Sequence, residues 1–239
     1  MLELRQTGFN EVPGGGIFYP GEPHLACVLL LDTSGSMAGD PIDSLNRAIS
    51  DFKEQTSLDE HAQKRVDIAI VEFDDEARVV QEFTPLPLMQ PIKLTAGGCT
   101  AMGAGIELAI DKVKERYRFY ASMGTPCFKP FIFLITDGEA TDDLKSACDR
   151  LNENNRRKVE LWALGIEGYN NEELQRIADE VFSIEYDFDV CEAMMWIFTK
   201  MNHLRRDNRA VAYMEEIDFQ KIEKDIPDGL HVLHKDTIW

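Results

Sequence analysis

The chain has 239 residues, 44% of them hydrophobic and 28% charged, with a formal net charge of −18. That size and composition suit one large globular domain or a domain with appendages, able to bury a sizeable core. So acidic a chain repels phosphate backbones, which argues against nucleic-acid binding and favours cations and basic surfaces as partners.

Residues 1–23 carry Pro13, Gly14, Gly15, Gly16, Pro20 and Pro23 and read as an irregular lead-in to a domain spanning 24–205. ACVLLL (26–31) is short and continuously apolar, as in a strand covered on both faces. A helix over 41–53 comes next, with Asp40 at the N-cap, Pro41 at the first helical position, and Ile42, Leu45, Ile49 and Phe52 on one face. VDIAIVEF (66–73), the turn DDEA (74–77) and RVVQEF (78–83) read as a hairpin. The Gly-rich loop AGGCT (96–100) opens a helix whose apolar face is Ile106, Ala109, Ile110, Val113 and Tyr117.

FIFLI (131–135) is another buried strand, succeeded by a helix through Leu144, Ala147, Cys148 and Leu151. VELWALG (159–165) is a strand, and Asn170 with Glu173 forms a capping box for a short helix. A weaker strand lies near 181–184, before a long helix over 189–204 capped by Asp189 and Glu192. Residues 206–239 are a polar, mixed C-terminal extension in which no element is read. The alternation predicts an α/β fold: a doubly wound, mostly parallel sheet with one antiparallel edge strand and helices on both faces.

The five cysteines, 27, 99, 127, 148 and 191, are odd in number and show no C-x-x-C spacing. The start MLELRQTGFNEVPGGG has no apolar leader core, and the apolar runs are too short to cross a membrane. Free thiols and a cytoplasmic location are therefore expected.

In open α/β sheets, ligands bind at the carboxyl ends of the strands. Three such loops hold oxygen-bearing residues: Asp32-Thr33-Ser34-Gly35-Ser36-Met37, Thr100 in its Gly-rich loop, and Asp137 after FIFLI. This pattern resembles the metal-ion-dependent adhesion site (MIDAS) of the von Willebrand factor A (VWA) domain family, with Asp32, Ser34, Ser36, Thr100 and Asp137 at the matching positions. The order of strands and helices over about 24–205 fits that family too. The phrases LLLDTSGSM, GGCTAMGAGI and FLITDGEATDD are most similar to bacterial cytoplasmic VWA proteins associated with tellurium resistance.

A hard cation, Mg2+ or Mn2+, suits such oxygens. Ser34 and Ser36 are two residues apart, so an extended loop aims both hydroxyls one way. Asp32 and Asp137 can ligate directly, through water, or by orienting the hydroxyls. Neutral hydroxyls leave the ion electrophilic, so a carboxylate from a partner protein is the natural extra ligand. The resemblance implies a binding module rather than an enzyme, exchange of direct and water-mediated roles between Thr100 and Asp137, and movement of the helix over 189–204 as the site fills. The alternatives are a Mg2+-dependent phosphatase or hydrolase and a scaffold with a vestigial site. Phosphatases of the haloacid-dehalogenase type resemble D-x-D-x-[TV], and Ser34 stands where their acid–base Asp would be.

Other residues have plainer readings. Asp40 and Asp43 suit a cap and a solvated position rather than a second cation site. Glu139, Asp142 and Asp143 are an acidic rim or acids suited to a helix start. Cys99 reads as a small buried residue rather than a redox handle, and His231 with His234 as a solvated tail rather than a metal pair. Tyr117, Phe119 and Tyr120 are core or an interaction patch, and Ile238 with Trp239 is an apolar end able to dock.

Overall fold

The computed structural model describes residues 16–56, 58–152, 159–185, 189–206 and 226–233. His234, Ile238 and Trp239 and most of the lead-in and extension lie outside the described residues.

Seven strands among these residues form one sheet in the order β3-β2-β1-β4-β5-β6-β7. They are β1 (Leu25–Asp32), β2 (Val66–Phe73), β3 (Ala77–Pro85), β4 (Phe131–Thr136), β5 (Glu160–Gly165), β6 (Glu180–Ile184) and β7 (Leu230–Leu233). The five central strands run parallel, and β3 pairs antiparallel with β2 as the hairpin pattern predicts. A further antiparallel strand, β7, closes the other edge on β6. It comes from the extension, where the four residues LHVL are too few to stand out as a strand.

Six α-helices are described: α1 (Asp40–Thr56), α2 (Glu60–Arg65), α3 (Met102–Met123), α4 (Lys145–Leu151), α5 (Asn171–Ile177) and α6 (Val190–Arg206). The alternation of β1 feeds two layers. Leu25, Cys27, Leu29 and Leu31 pack with α1 and α6 on one face. Ala26, Val28 and Leu30 pack with α3, α4 and α5 on the other. Both sides of β1 are therefore dry, which is why its sequence shows no polar alternation.

α2 has no counterpart in the sequence reading. It has six residues and one buried side chain, Ala62, so no periodicity marks it. Asp59 caps it by accepting from His61 N at 2.9 Å and Ala62 N at 3.2 Å. Asn170 caps α5 by accepting from Glu173 N. The return arm of the expected capping box goes elsewhere, because Glu173 Oε2 accepts from Ala140 N at 3.0 Å.

At the amino edge of the sheet, a charged cluster replaces apolar core. Asp67 of β2 is fully buried. Its Oδ2 accepts from Arg116 at 2.9 Å and from the Tyr120 hydroxyl at 2.5 Å, with His24 Nδ1 3.3 Å away. Burial pushes the Asp67 carboxyl up, but the His24 contact, the Arg116 charge and the Tyr120 hydroxyl outweigh it and hold it below the usual range.

This cluster corrects the predicted face of α3. Arg116 turns inward to Asp67, Tyr120 comes one turn later at 1% exposure, and Tyr117 is left 47% exposed rather than in the core. Phe119 packs partly buried beneath the Arg116 guanidinium, 4.9 Å from its ring centre.

Asp67→Ala strands a buried guanidinium and should cost about 3–5 kcal/mol in urea unfolding. A loss of about 1 kcal/mol or less, typical of exposed pairs, would show that water reaches the cluster.

Candidate metal centre

The carboxyl ends of β1 and β4 lie side by side, since the two strands are paired in parallel. Asp32 is the last residue of β1 and is fully buried. Its Oδ1 accepts from Ser34 N at 2.8 Å, which folds the loop after β1 back over the strand end. Its Oδ2 accepts from the Thr136 hydroxyl at 2.5 Å, which ties β1 to the end of β4. Thr136 Oγ1 in turn accepts from Gly138 N at 3.2 Å. Both oxygens of Asp32 are thus engaged in setting the positions of other residues.

From there the oxygens run outward. Ser34 Oγ lies 3.0 Å from Ser36 Oγ, and Ser36 Oγ donates to Asp137 Oδ1 at 2.7 Å. Ser34, Thr100 and Asp137 are buried and Ser36 is exposed, so the cluster opens to the surface at Ser36. A Cβ built on Gly138 would lie 3.5 Å from Thr100 Oγ1 and 3.7 Å from Ser36 Oγ. Both hydroxyls therefore border the same small space, kept clear by the missing side chain. All five oxygen-bearing residues picked out in the sequence meet here.

Backbone bonds hold the loops together. Thr33 N and its hydroxyl both bond Phe73 O, at 2.9 and 3.1 Å, linking the first loop to the end of β2. Gly97 N donates to Thr33 O at 2.8 Å and Gly35 N to Gly98 O at 3.0 Å. The Gly98 turn needs its glycine, because φ is +78° and a Cβ would sit 2.9 Å from the Asp75 carboxylate. Asp75 also accepts from Cys99 N at 2.8 Å. Cys99 is exposed rather than buried, because this turn faces outward. Its thiol is pushed up by its hydrogen bond to Asp75 and by that carboxylate's charge. Cys27 and Cys191 are buried, as small apolar residues would be.

Burial raises the Asp32 carboxyl, with the bonds from Ser34 and Thr136 offsetting only part of that. Burial also raises Asp137, the Ser36 hydroxyl lowers it, and the negative charge of Asp32 adds to the rise. The arrangement is therefore short of positive charge. Its donors are hard oxygens only, three hydroxyls and two carboxylates, which fits a small divalent cation of the Mg2+ or Mn2+ type. Among the described residues, no group of three or more His, Cys, Asp or Glu is placed to hold a metal ion, so any such site depends on hydroxyls.

Sequence reasoning does not find the residues that brace these five. Thr136, Thr141, Asp142 and Glu173 all bond into the loops, and their partners lie 33 or more positions away in sequence. The TDGEATDD run marks this loop as acidic without showing what each acid holds.

The family model for the von Willebrand factor type A domain matches residues 27–191. Solved structures share the fold. A von Willebrand factor type A protein from Catenulispora acidiphila is 21% identical at a TM-score of 0.59, over 74% of this chain and 42% of that one. Proximal thread matrix protein 1 from the mussel byssus, solved with a zinc-occupied MIDAS motif, is 19% identical at a TM-score of 0.56, over 78% of this chain and 47% of that one. A mutant of the PilB minor pilin from Streptococcus sanguinis is 15% identical at a TM-score of 0.54, over 77% of this chain and 61% of that one. The chain thus spans between 42% and 61% of these proteins' lengths. No curated protein matches it.

The raised carboxyls set a pH dependence. A folded-state pKa above the unfolded value of 3.8 gives stabilisation that is complete below that pH and lost as pH rises through the folded pKa. In EDTA, Asp137→Asn should therefore be more stable than the wild type near neutral pH and lose that advantage near pH 3, measured as unfolding midpoints against pH. Parallel curves for the two proteins would show that Asp137 is not desolvated.

Proposed function

The chain belongs to the von Willebrand factor type A domain family, and from that premise we propose that it is a non-catalytic binding module whose MIDAS-type site holds Mg2+ or Mn2+ and engages a carboxylate of a partner protein. The observation that carries this reading is the continuous run of oxygens from Asp32 through Ser34 and Ser36 to Asp137, with Thr100 facing the same space. The zinc-occupied MIDAS of the mussel byssus protein supports the same use of this fold.

Ser34, Ser36 and Thr100 would present hydroxyls to the ion, and Asp137 a carboxylate near the surface. Asp32 accepts from Ser34 N and from the Thr136 hydroxyl, so it aims the first loop and supplies charge from beneath, with lone pairs left for the ion or a water on it. When bound, the ion supplies an electrophilic position at the surface that accepts one more anionic oxygen. The chain's own residues supply the fixed frame and the selectivity.

That selectivity comes from the loops around the site. The stretches 33–44, 74–77, 96–104, 137–144 and 166–170 contain no Lys or Arg and hold Asp40, Asp43, Asp75, Glu139, Asp142 and Glu167 among their acids. Arg78, just beyond, is engaged by Glu72 and Asp74. The rim is therefore negative around a site that wants an anion. The partner that satisfies both is a basic surface carrying one exposed Asp or Glu.

The binding reading is favoured over hydrolysis by what these loops offer for proton transfer. They contain no His, and their cysteine, Cys99, has its thiol pushed up rather than down. The cytoplasmic setting and the likeness to tellurium-resistance proteins belong to this same proposal. No helix among the described residues is long and apolar enough to cross a membrane.

Thermal unfolding with Mg2+, Mn2+ or EDTA tests the site on the wild type, Asp32→Ala and Ser36→Ala. Metal at about a hundred times its dissociation constant should stabilise the wild type by roughly 2.7 kcal/mol and neither variant. No shift in the wild type would leave a scaffold with a vestigial site. Partner capture should vanish in EDTA and weaken with ionic strength. Capture unchanged in EDTA would end the metal-bridged reading.

A further inference from the structure

Asp142 reads in the sequence as rim or as an acid suited to the helix that comes after it. In the structure it serves another helix. Its Oδ1 accepts from Gly103 N and its Oδ2 from Ala104 N, both at 2.9 Å. One carboxylate from the loop after β4 thus caps the first turn of α3, whose own N-cap residue, Ala101, makes no side-chain cap bond.

Thr141 grips the residue just before that turn. Its Oγ1 accepts from Thr100 N at 3.1 Å, and its N donates to Thr100 O at 2.9 Å. One residue therefore holds both backbone polar groups of Thr100. The approach is close enough to require glycine at 103, where a Cβ would lie 2.8 Å from Asp143 O and 3.0 Å from Asp142 Oδ2. The far side of the loop is braced as well, by Ala140 N on Glu173 and by Asn170 Nδ2 on Glu139 Oε1 at 3.2 Å.

We propose that Thr141 and Asp142 are the positioning residues of the metal site, a clamp that makes Thr100, the first turn of α3 and the Asp137 loop move as one body. This rests on the metal-site reading above. The loop begins with Asp137, which bonds Ser36, and ends with the two residues that fix Thr100 and α3. The hydroxyl on one side of the site and the carboxylate on the other are therefore placed by a single six-residue stretch, 137–142. A hydroxyl is a weak ligand unless it is held within about 0.5 Å of its productive position. Among the described residues, the Thr141 hydroxyl is the side-chain acceptor at the Thr100 backbone N–H.

The consequence runs in both directions. Filling the site should tighten the first turn of α3, and loosening the clamp should weaken metal binding without touching any ligand.

The test uses Mn2+ titration calorimetry on the full chain, with amide hydrogen exchange at Gly103 and Ala104 in EDTA and in Mg2+. Thr141→Val removes only the hydroxyl from an exposed side chain and should weaken Mn2+ binding by about 10- to 100-fold. Thr141→Ser should restore most of it. Gly103→Ala, which displaces Asp142, should behave like Thr141→Val. Mg2+ should slow exchange at Gly103 and Ala104 in the wild type and fail to do so in Asp142→Ala. Unfolding in EDTA identifies any variant that is simply misfolded, and Thr141→Val is the mildest of the set. If Thr141→Val binds Mn2+ like the wild type, or Thr141→Ser is as poor as Thr141→Val, the clamp is overturned while the metal site stands. A wild type that binds neither ion overturns the metal site and the clamp with it.

Discussion

Everything at the carboxyl edge of this sheet depends on one desolvated carboxylate, that of Asp32. It sits at the junction of two parallel strands and is bonded on one oxygen by its own loop and on the other by the end of β4. A buried charge of this kind is costly unless hydrogen bonds satisfy it. Here the two bonds that satisfy it also determine where Ser34 points and where Thr136 and Gly138 lie. Loop geometry and charge placement are therefore one problem with one solution. Burial drives the Asp32 and Asp137 carboxyls upward, the direction that a nearby positive charge would reverse.

The opposite edge handles the same difficulty with protein groups alone. Asp67 is as buried as Asp32, but it has Arg116, Tyr120 and His24 against it and is held below the usual carboxylate range rather than above it. Two buried aspartates in adjacent strands thus have opposite shifts, and the difference is whether the chain supplies the counter-charge. Where it does, the residue is a structural tie between β2 and α3. Where it does not, the residue belongs to the oxygen cluster that, on the proposed reading, accepts a cation. Burial is common to both and would not by itself separate structure from function.

The sheet and the loops of the candidate site are legible in the sequence for the same reason. Strands buried on both faces read as unbroken apolar runs, and the residues just past such a run in a parallel sheet lie at the ligand-binding edge. The loop after β1 and the one that opens with Asp137 can be picked out by position along the chain, and the resemblance to the MIDAS pattern singles out Asp32, Ser34, Ser36, Thr100 and Asp137, without knowing what touches what. The residues that act through distant partners cannot be read that way. Arg116 is 49 positions from Asp67, and Asp142 is 39 from Gly103. A charged residue on a helix or in an acidic run looks solvated until its partner is placed beside it, and so periodicity draws the helix face through Tyr117 rather than Arg116. Short elements escape for a different reason. α2 and β7 have too few residues to show a period, and both are held by their surroundings rather than by their own pattern.

The chemistry of the site and the charge of its rim pull in opposite directions, and that opposition is informative on the proposed reading. Three neutral hydroxyls and one outward carboxylate, with the Asp32 charge held beneath them, would leave the outer side of a divalent ion unshielded, which draws an anion at contact distance. The rim acids act over a Debye length of about 8 Å at physiological salt and repel the same anion as it approaches. A small free anion meets the repulsion first and gains only the contact. A carboxylate carried on a basic surface is drawn in by the rim and then held by the ion. Long-range selection for basic surroundings and short-range demand for one acidic oxygen together define a protein surface more narrowly than either could, which is how a site built from common loop residues can discriminate among partners.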